Sequence, residues 1–308
     1  MFSYNKNDFS ISTPTAVALG CFDGVHIGHR AVIREAVTIA GQRGIQSAVW
    51  CFESPPKNYF VKDSAPLITP PEEKISLISE IGVDVVVCVP FDMDIGGLTP
   101  EEFFYGILIN KMNAAHIVCG SNYTFGKNGS GNAEYLSELC RKNGVGFTSL
   151  GHICADGISV SASAIREMIK KGDLSEVELL LGRKYSISGT VINGNHLGRT
   201  LGFPTANIEL KRGCVVPKNG VYLTKVYVNG AEHFGITNVG RHPTVLAEAL
   251  LAETFLFDFN SDIYGKELKL EFIEFMRKEK TFESLDTLTL QVNADIDKAK
   301  RLIQKKYS

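Results

Sequence analysis

The stretch "GCFDGVHIGH", from Gly20 to His29, joins the short apolar run "TAVALG" (15–20) to the helical pattern "AVIREAVTIA" (31–40). A buried strand that leads directly into a helix is typical of a parallel α/β sheet, in which ligands bind beyond the carboxyl ends of the strands. His26 and His29 are three residues apart at the helix start, so both rings project from the same side of its first turn. The turn therefore predicts a site at which two imidazoles meet one ligand.

The composition of this turn favours a phosphate as that ligand. Gly20, Gly24 and Gly28 carry no side chain that would keep a phosphate chain away from the backbone. The N–H groups at a helix start attract anions, and imidazoles can donate to phosphate oxygens while charge develops on phosphorus. Phosphoryl or nucleotidyl transfer needs little more than such positioning and charge neutralisation. On this motif alone, a plain strand-to-helix turn with surface histidines remains the alternative.

Short apolar runs alternate with helical patterns from residue 15 to about residue 152. The runs that are typical of buried strands are 15–20, 47–52, 84–91, 115–120 and 146–151. Strands that alternate with helices predict a parallel sheet with covered faces and right-handed crossovers.

The helices between these strands carry clear end signals. The pattern at 100–112 begins with a predicted capping box, in which Thr99 caps the helix and Glu102 reaches back to it. Further helical patterns lie at 72–81 and 133–143. Both stop at glycines that suit left-handed C-caps, Gly82 and Gly144.

The alternation of strand and helix patterns ends at about residue 184. Strand-like segments such as "YSISGTVI" (185–192) follow one another, separated by glycine, asparagine and aspartate turns. This pattern favours an antiparallel barrel or sandwich. A closing helix is expected at 295–307, with apolar residues at Ile296, Ala299 and Ile303.

Length and composition limit the class of protein. A chain of 308 residues is long for one core, so we predict two domains, 1–183 and 184–308. The hydrophobic fraction is 44%, and no apolar run approaches the roughly 20 residues that a membrane helix needs. The formal net charge of −2 provides no basic field that would attract nucleic acid. We therefore expect a globular protein that binds neither membranes nor nucleic acid.

The seven cysteines are widely spaced and lie mostly in apolar, strand-like runs. Buried thiols of this kind are typical of a reducing compartment, and their spacing predicts no zinc site. The opening "MFSYNKND" lacks the charged and apolar segments of a signal peptide, so we expect a cytoplasmic protein. The sequence leaves the oligomeric state open, a homo-oligomer included.

Three segments of the N-terminal half resemble the nucleotidylyltransferase superfamily, in particular the N-terminal module of bacterial bifunctional riboflavin kinase/FAD synthetases. They are "GCFDGVHIGH" (20–29), "GSNYTFG" (120–126) and "SASAIR" (161–166). The resemblance implies that this Rossmann-like module transfers the adenylyl group of ATP to FMN, which gives FAD and pyrophosphate. It assigns His26 and His29 as catalytic residues that bind the ATP phosphates, together with Gly20, Phe22, Asp23 and Gly24 of the same turn. Asn122 would help to hold the nucleotide phosphates or the flavin phosphate, and Ser161, Ser163 and Arg166 would close over the triphosphate.

Three positions depart from the pattern of this family. Pro55, in "FESPP" (52–56), stands where the family usually has a histidine, and Ala162 and Ser163 replace the usual serine and threonine. Proline has no hydrogen to donate and alanine has no hydroxyl, so at least two ligand contacts of the family are missing. We expect any weakness or altered preference to lie in the adenylyl step.

The C-terminal half resembles the flavokinase family over most of its length. The signature lies in "SGTVINGNHLGRTLGFPTANIEL" (188–210), whose loop is rich in glycine and asparagine and leaves room for a backbone that wraps phosphate. The resemblance implies an antiparallel barrel with a terminal helix that binds ATP and riboflavin on one face. The residues that it assigns to this binding are Gly189, Gly194, Gly198, Arg199, Gly202, Pro204, Thr205 and Asn207.

The same resemblance implies the catalytic roles. Thr205 and Asn207 would ligate Mg²⁺ together with the ATP phosphates, and Glu253 would take the proton from the ribityl 5′-hydroxyl. A carboxylate suits this role because the hydroxyl loses its proton as it attacks the γ-phosphorus. The family commonly has histidine where this chain has Phe255, for which flavin stacking and simple packing both remain open. Arg277 could pair with a flavin or phosphate, or belong to a solvated charge cluster.

The sequence is compatible with three functions. The first is a bifunctional enzyme in which riboflavin and ATP give FMN in the C-terminal module, and FMN and ATP give FAD in the N-terminal module. The second keeps the kinase but has an N-terminal module that is weakened or has another nucleotide or flavin preference. The third is a flavin-binding sensor without turnover, which the intact Thr205, Asn207 and Glu253 disfavour. The sequence favours the first, with Mg²⁺ as cofactor and with ATP, riboflavin and FMN as small-molecule partners.

Overall fold

The structure is a computed structural model that describes residues 2–3, 9–61, 64–193, 202–241 and 250–307. The chain divides into two compact units. Unit 1 comprises Met1–Arg166 and Leu180–Gly182, and unit 2 comprises Glu167–Leu179 and Arg183–Ser308. The domain limits 1–183 and 184–308 stay a prediction.

The first unit is built on a parallel sheet. Its strands, in chain order, are β1 (Phe2–Ser3), β2 (Thr15–Leu19), β3 (Gln46–Phe52), β4 (Val85–Val89), β5 (Ala114–Gly120), β6 (Thr124–Phe125), β7 (Gly131–Asn132), β8 (Gly146–Leu150), β9 (Cys154–Ala155) and β10 (Ile158–Ser159). Six of them form one sheet in the order β1-β4-β3-β2-β5-β8, and each neighbouring pair in it is parallel. The predicted parallel sheet and its five predicted strands are confirmed, and β1 adds an edge strand.

The helices up to residue 181 lie between and after these strands. They are α1 (Ile27–Arg43), α2 (Lys57–Phe60), α3 (Pro71–Ser79), α4 (Met93–Gly96), α5 (Pro100–Glu102), α6 (Ala133–Lys142), α7 (Ala162–Lys171) and α8 (Leu174–Leu181). The predicted capping box is present: Thr99 Oγ1 accepts from the Glu102 N–H at 3.2 Å, and Glu102 Oε2 accepts from the Thr99 N–H at 2.8 Å. The helix body that follows, Phe103–Ile109, is wound as a π-helix, which the capping signals do not reveal.

The strand order places a crevice between β2 and β5. From β2 the chain builds β3 and β4 on one side of the sheet, and it then returns to add β5 and β8 on the other side. The loops after β2 and β5 therefore diverge, and such switch points are where open α/β sheets bind ligands. Apolar side chains cover both faces, with Trp50 and Phe104 in one core and Ile33 and Val49 in the other.

The second unit is a closed antiparallel barrel, which settles the choice between barrel and sandwich. Its strands are β11 (Ser186–Ile192), β12 (Thr205–Leu210), β13 (Gly220–Val228), β14 (Ala231–Arg241), β15 (Leu250–Leu256) and β16 (Glu267–Arg277), and they close in the order β11-β12-β15-β14-β13-β16. The terminal helix α9 (Leu285–Tyr307) packs on the barrel through the predicted apolar stripe. Ala299 is fully buried there, and Ile296 and Ile303 pack beside it.

Three threonines inside the barrel bond to one another across its strands. Thr224 Oγ1 lies 2.7 Å from Thr237 Oγ1, which lies 2.9 Å from Thr254 Oγ1, and all three residues are fully buried. The hydroxyls bond to each other and to the carbonyl of Gly235, so these hydrogen bonds offset the cost of removing them from water. They also link the neighbouring strands β13, β14 and β15 across the barrel interior.

Five of the seven cysteines are buried. Cys51, Cys88, Cys119, Cys140 and Cys214 are buried free thiols, whereas Cys21 is half-buried and Cys154 is exposed. Within the described ranges, no helix is both long enough and apolar enough to cross a bilayer. These ranges likewise hold no group of three or more histidine, cysteine or acidic residues arranged to bind a metal ion.

Candidate active sites

A cleft of about 620 Å³ lies in unit 1 at the carboxyl ends of β2, β3, β5 and β8. The strand ends contribute Gly20, Phe52, Gly120 and Leu150 to its walls. Both predicted histidines and Asn122 line it as well. The switch point of the sheet and the sequence motif therefore meet at one cavity.

The two histidines stack on each other at the start of α1. His26 is the N-cap, and its Nδ1 accepts a hydrogen bond from the His29 N–H at 3.2 Å. The ring centroids are 3.4 Å apart and the ring planes differ by 17°. Phe22 meets His29 edge-on, with centroids 5.3 Å apart. The rings thus project from one side of the first helical turn, as their spacing predicts.

The surroundings of His29 disfavour its protonated form. Burial lowers its pKa well below the ordinary value of 6.5, and the nearby His26, Lys74 and Arg166 lower it further. Its Nδ1 is buried and has no hydrogen-bond partner among the described residues. His29 is therefore a neutral imidazole at pH 7, which can donate one hydrogen bond to a bound anion.

The turn before α1 has an unusual backbone. Phe22, Gly24 and Val25 all have a positive φ, of 53°, 84° and 40° respectively. For a β-branched residue such as Val25 this conformation costs about 1–3 kcal/mol, which persists only where the surroundings enforce it. Val25 is fully buried, so packing around its side chain stabilises the turn.

Asp23 and Arg166 provide part of that support. The Asp23 carboxylate accepts from the N–H groups of Ile68 and Thr69, at 3.0 and 3.1 Å, and it pairs with the Arg166 guanidinium. Arg166 Nε also donates to the Pro66 carbonyl at 2.7 Å. Both charged side chains are buried under the turn, and neither lines the cleft.

The remaining predicted residues of this site lie around the cleft mouth. Asn122 is exposed and follows β5. Ser161 lines the cleft and caps α7, since its Oγ accepts from the Ala164 N–H at 3.2 Å. Ala162 also lines the cleft, whereas Ser163 is exposed outside its lining.

One lobe of the cleft is aromatic, a feature that the sequence motifs do not indicate. Phe52 and Phe91 lie with centroids 5.3 Å apart, and Phe60 lies 5.9 Å from Phe91. Phe60 is 65% exposed, an unusual position for so large an apolar ring. Pro55, the predicted departure from the family, is buried, and its neighbour Pro56 lines this lobe instead.

A second polar site lies on the outer face of the barrel. Thr205 and Asn207 alternate on β12 with buried Ala206 and Ile208, so both side chains point outward. Asn207 is directly opposite Glu253 on β15, and all three polar residues are half-buried. The structure thus brings together the three residues to which the sequence assigns metal binding and proton transfer.

Asn238 extends this row on the next strand. It lies opposite Glu253 in the β14–β15 register, which puts the Glu253 carboxylate between two asparagines. Its Oδ1 is buried and has no hydrogen-bond partner within the described part of the chain. Asn238 opens the segment "NVGRHPT" (238–244), but the sequence analysis assigned it no role, since strand pairing is what makes it a neighbour of Glu253.

The other predicted residues of the second unit have varied surroundings. Gly189 is buried against β12, where a Cβ would clash with the Glu209 carbonyl oxygen. Gly202 and Pro204 are exposed just before β12. The predicted residues Gly194, Gly198 and Arg199 lie outside the described residues.

Phe255 and Arg277 have packing partners of their own. The ring of Phe255 meets Phe203 and Phe257 edge-on, with centroids 5.9 and 5.7 Å apart, so it belongs to an aromatic row beside Glu253. Arg277 pairs with Asp295 of α9 through contacts of 2.7 to 3.0 Å. Arg277 therefore ties the terminal helix to the barrel.

Two family models match the chain. The model for FAD synthetase matches residues 8–164, and the model for riboflavin kinase matches residues 181–303. The first match spans the cleft of unit 1 with both histidines. The second spans the barrel with the polar row around Glu253.

Curated relatives resemble the chain over nearly its whole length. It is 38% identical over 293 residues to the bifunctional riboflavin kinase/FMN adenylyltransferase of Bacillus subtilis (strain 168), covering 93% of this chain and 92% of the relative. It is also 38% identical over 287 residues to the Haemophilus influenzae protein of the same name, covering 92% and 93%.

A solved structure has the same fold over its full length. It is a crystal structure from Streptococcus pneumoniae, named a macrolide-efflux protein, with a TM-score of 0.88 and 30% identity over 100% of both chains. The efflux name belongs to that protein, and neither family model that matches this chain describes such an activity.

Proposed function

The chain belongs to the family of bifunctional riboflavin kinase/FMN adenylyltransferases, and we propose that each of its two units carries one of the two reactions. Riboflavin and ATP give FMN and ADP on the barrel, and FMN and ATP give FAD and pyrophosphate in the cleft of unit 1. The observation that carries this proposal is the pair of separate polar sites, one at the switch point of a parallel sheet and one on a barrel face.

In the cleft, the reaction is the attack of an FMN phosphate oxygen on the α-phosphorus of ATP. The new P–O bond forms as the bond to the departing pyrophosphate breaks. His26 and His29 face this position, and the neutral His29 can donate to a phosphate oxygen as its charge grows. The start of α1 and the capped start of α7 add the partial positive charge of backbone N–H groups.

The aromatic lobe of the cleft suits the flavin ring of FMN. Flat rings bind well against offset or edge-on aromatic side chains, and Phe52, Phe60 and Phe91 offer such a surface. Asn122 lies at the cleft mouth after β5, within the same lining, where an amide can hold a phosphate. This arrangement would put the FMN phosphate between the aromatic lobe and the histidines.

On the barrel, the ribityl 5′-hydroxyl of riboflavin attacks the γ-phosphorus of ATP and ADP leaves. Glu253 is the base that takes the hydroxyl proton, since its carboxylate lies on the outer barrel face beside Asn207. General-base help of this kind is worth about 10²- to 10⁴-fold in rate. An apolar border lies beside Glu253, where the ring of Phe255 on β15 meets the rings of Phe203 and Phe257.

Mg²⁺ fits the donor set of this row. Thr205 and Asn207 offer a hydroxyl and an amide oxygen on one strand face, two residues apart. Mg²⁺ prefers such oxygen ligands and completes its coordination with phosphates and water. When bound, it would neutralise the charge of the transferring phosphoryl group.

The test is a product analysis of the pure protein with riboflavin, ATP and Mg²⁺, in which FMN and FAD are separated by chromatography over time. We expect FMN first and FAD after it. Added FMN should also be converted to FAD without riboflavin. The absence of both products would support a flavin-binding sensor and would falsify the proposal.

A specific observation keeps a kinase with a weak adenylyl step as a second candidate. Ala162 lines the cleft without a hydroxyl, and Pro55 is buried outside its lining, at positions where the resemblance implies a serine and a histidine. In the same assay this candidate predicts FMN that accumulates while FAD stays low. Substituting GTP or CTP for ATP then measures whether the nucleotide preference differs.

A further inference from the structure

Lys74 is a fully buried lysine on α3, a helix to which no role in catalysis has been assigned above. Its Nζ donates to three backbone carbonyls, those of Cys21 at 3.2 Å, Phe52 at 2.5 Å and Glu53 at 3.1 Å. An ammonium has three hydrogens to donate, so these contacts account for all of them. Lys74 therefore stabilises the backbone at the carboxyl ends of β2 and β3.

The Lys74 ammonium is held by carbonyl dipoles rather than by a carboxylate of the described residues. Among the described residues, no carboxylate forms a salt bridge with its ammonium, and the nearby Asp23 carboxylate pairs with Arg166. Burial acts to lower the pKa of Lys74, but the thiol of Cys51 and other neighbouring groups raise it above its ordinary value. The three carbonyls and these neighbours together stabilise a charge that burial alone would disfavour, so Lys74 stays charged inside the protein.

The position of this charge indicates its role. Cys21 and Phe52, two of the three residues whose carbonyls it binds, line the cleft. Carbonyl dipoles directed toward the cleft would repel an anion, whereas here they are directed at Nζ. The charge also reaches the cleft itself, since Lys74 is one of the groups that lower the pKa of His29.

We propose that Lys74 is a positioning residue of the adenylyl-transfer site: its buried ammonium holds the strand ends in place and provides a fixed positive charge behind the ATP phosphates. The proposal rests on the proposed adenylyltransferase function of unit 1. Since protein rather than water separates the ammonium from the ligand, salt screens its effect less than that of a surface lysine.

The test uses Lys74→Gln and Lys74→Met in the full chain. Glutamine can still donate to two carbonyls but has no charge, and methionine has neither property. We expect the KM for ATP in FAD formation to rise by about tenfold in Lys74→Gln and more in Lys74→Met, because both variants remove a positive charge that attracts the ATP phosphates. Inhibition by inorganic tripolyphosphate should weaken in parallel, and the KM for ATP in FMN formation should not change.

Two controls separate charge from folding. Lys142→Met removes an exposed lysine of the same unit that makes only a surface ion pair, and we expect wild-type kinetics from it. The rise in KM should persist at about 0.5 M KCl, where surface charges are screened. A merely structural role would lower kcat through loss of folded protein and leave the KM for ATP and the tripolyphosphate inhibition unaltered.

A KM for ATP within about twofold of wild type in folded Lys74→Gln overturns the role of the charge. Loss of the unit 1 unfolding transition in both variants also overturns it, because Lys74 would then serve folding alone. A wild-type protein that makes FMN but no FAD instead refutes the proposed function, a failure visible before any variant is made.

Discussion

Asp23 and Arg166 are 143 residues apart in the chain and form a buried ion pair beneath the turn that precedes α1. The carboxylate also accepts two backbone N–H groups, and the guanidinium also donates to a carbonyl. This pair therefore connects the histidine turn, the segment around Ile68 and the start of α7. The sequence resemblance assigns both residues to ATP binding, whereas their contacts are with the protein itself.

Breaking this pair should destabilise unit 1 and impair FAD formation. Removal of one partner from a buried pair leaves the other uncompensated, which costs about 3–5 kcal/mol. We expect Arg166→Met and Asp23→Asn to lower the free energy of unfolding of unit 1 by this order, measured by denaturant titration. Lys142→Met, which breaks an exposed pair, is the matched control and should change it little. An unchanged transition in both pair variants would argue against a supporting role.

His29→Ala should abolish FAD formation and spare FMN formation. The ring faces the cleft beside His26, and the barrel site lies in the other unit. Chromatography of products from riboflavin, and separately from added FMN, measures both steps in one preparation. Loss of both activities in a folded variant would contradict two independent sites.

The stability of unit 1 should fall as the pH drops below 7. The folded-state pKa of His29 is well below 6.5, so the unfolded chain binds a proton there before the folded chain does. Stability is then complete above the unfolded pKa and decreases with acidification, with a slope of up to about 1.4 kcal/mol per pH unit from this group. Denaturant titrations between pH 7.5 and 5.5 should show a shallower slope for His29→Gln. An equal slope in both proteins would exclude His29 as the source.

Glu253→Gln should reduce FMN formation while added FMN is still converted to FAD. Glutamine keeps the shape of the side chain but cannot accept the hydroxyl proton, so we expect a loss of about 10²- to 10⁴-fold in kcat. The KM for riboflavin should change less than kcat. Full kinase activity in this variant would refute the assignment of Glu253 as the base.

Asn238→Leu should stabilise the barrel and reduce kinase activity together. A buried carbonyl oxygen without a partner costs about 1–3 kcal/mol, and leucine of similar volume removes that cost. The same change removes a polar neighbour of Glu253, which we expect to raise the KM for riboflavin or to lower kcat. Thermal unfolding and FMN formation are measured on one sample, with FAD formation from added FMN as the internal control. A less stable variant with normal kinase activity would contradict both expectations.

Local signals in the sequence determined a large part of this structure. The capping box at Thr99 and Glu102 involves residues three positions apart, so the sequence alone reveals it. The projection of both histidines from one side of the first turn and the apolar stripe of α9 follow in the same way from helical periodicity. Alternation of strands and helices likewise predicts the parallel sheet, because each element is defined by its own residues. Family resemblance added the two chemistries.

Tertiary structure alone decided how distant segments meet. The pairs Asp23–Arg166 and Asn238–Glu253 and the contacts of Lys74 join residues whose separation no local pattern encodes. The π-helix at Phe103–Ile109 also escapes prediction, because its hydrogen bonds respond to packing around the helix rather than to its end signals. Burial is the other property that only the folded chain has. The lowered pKa of His29 results from burial of its ring, which takes place only when the chain folds around it.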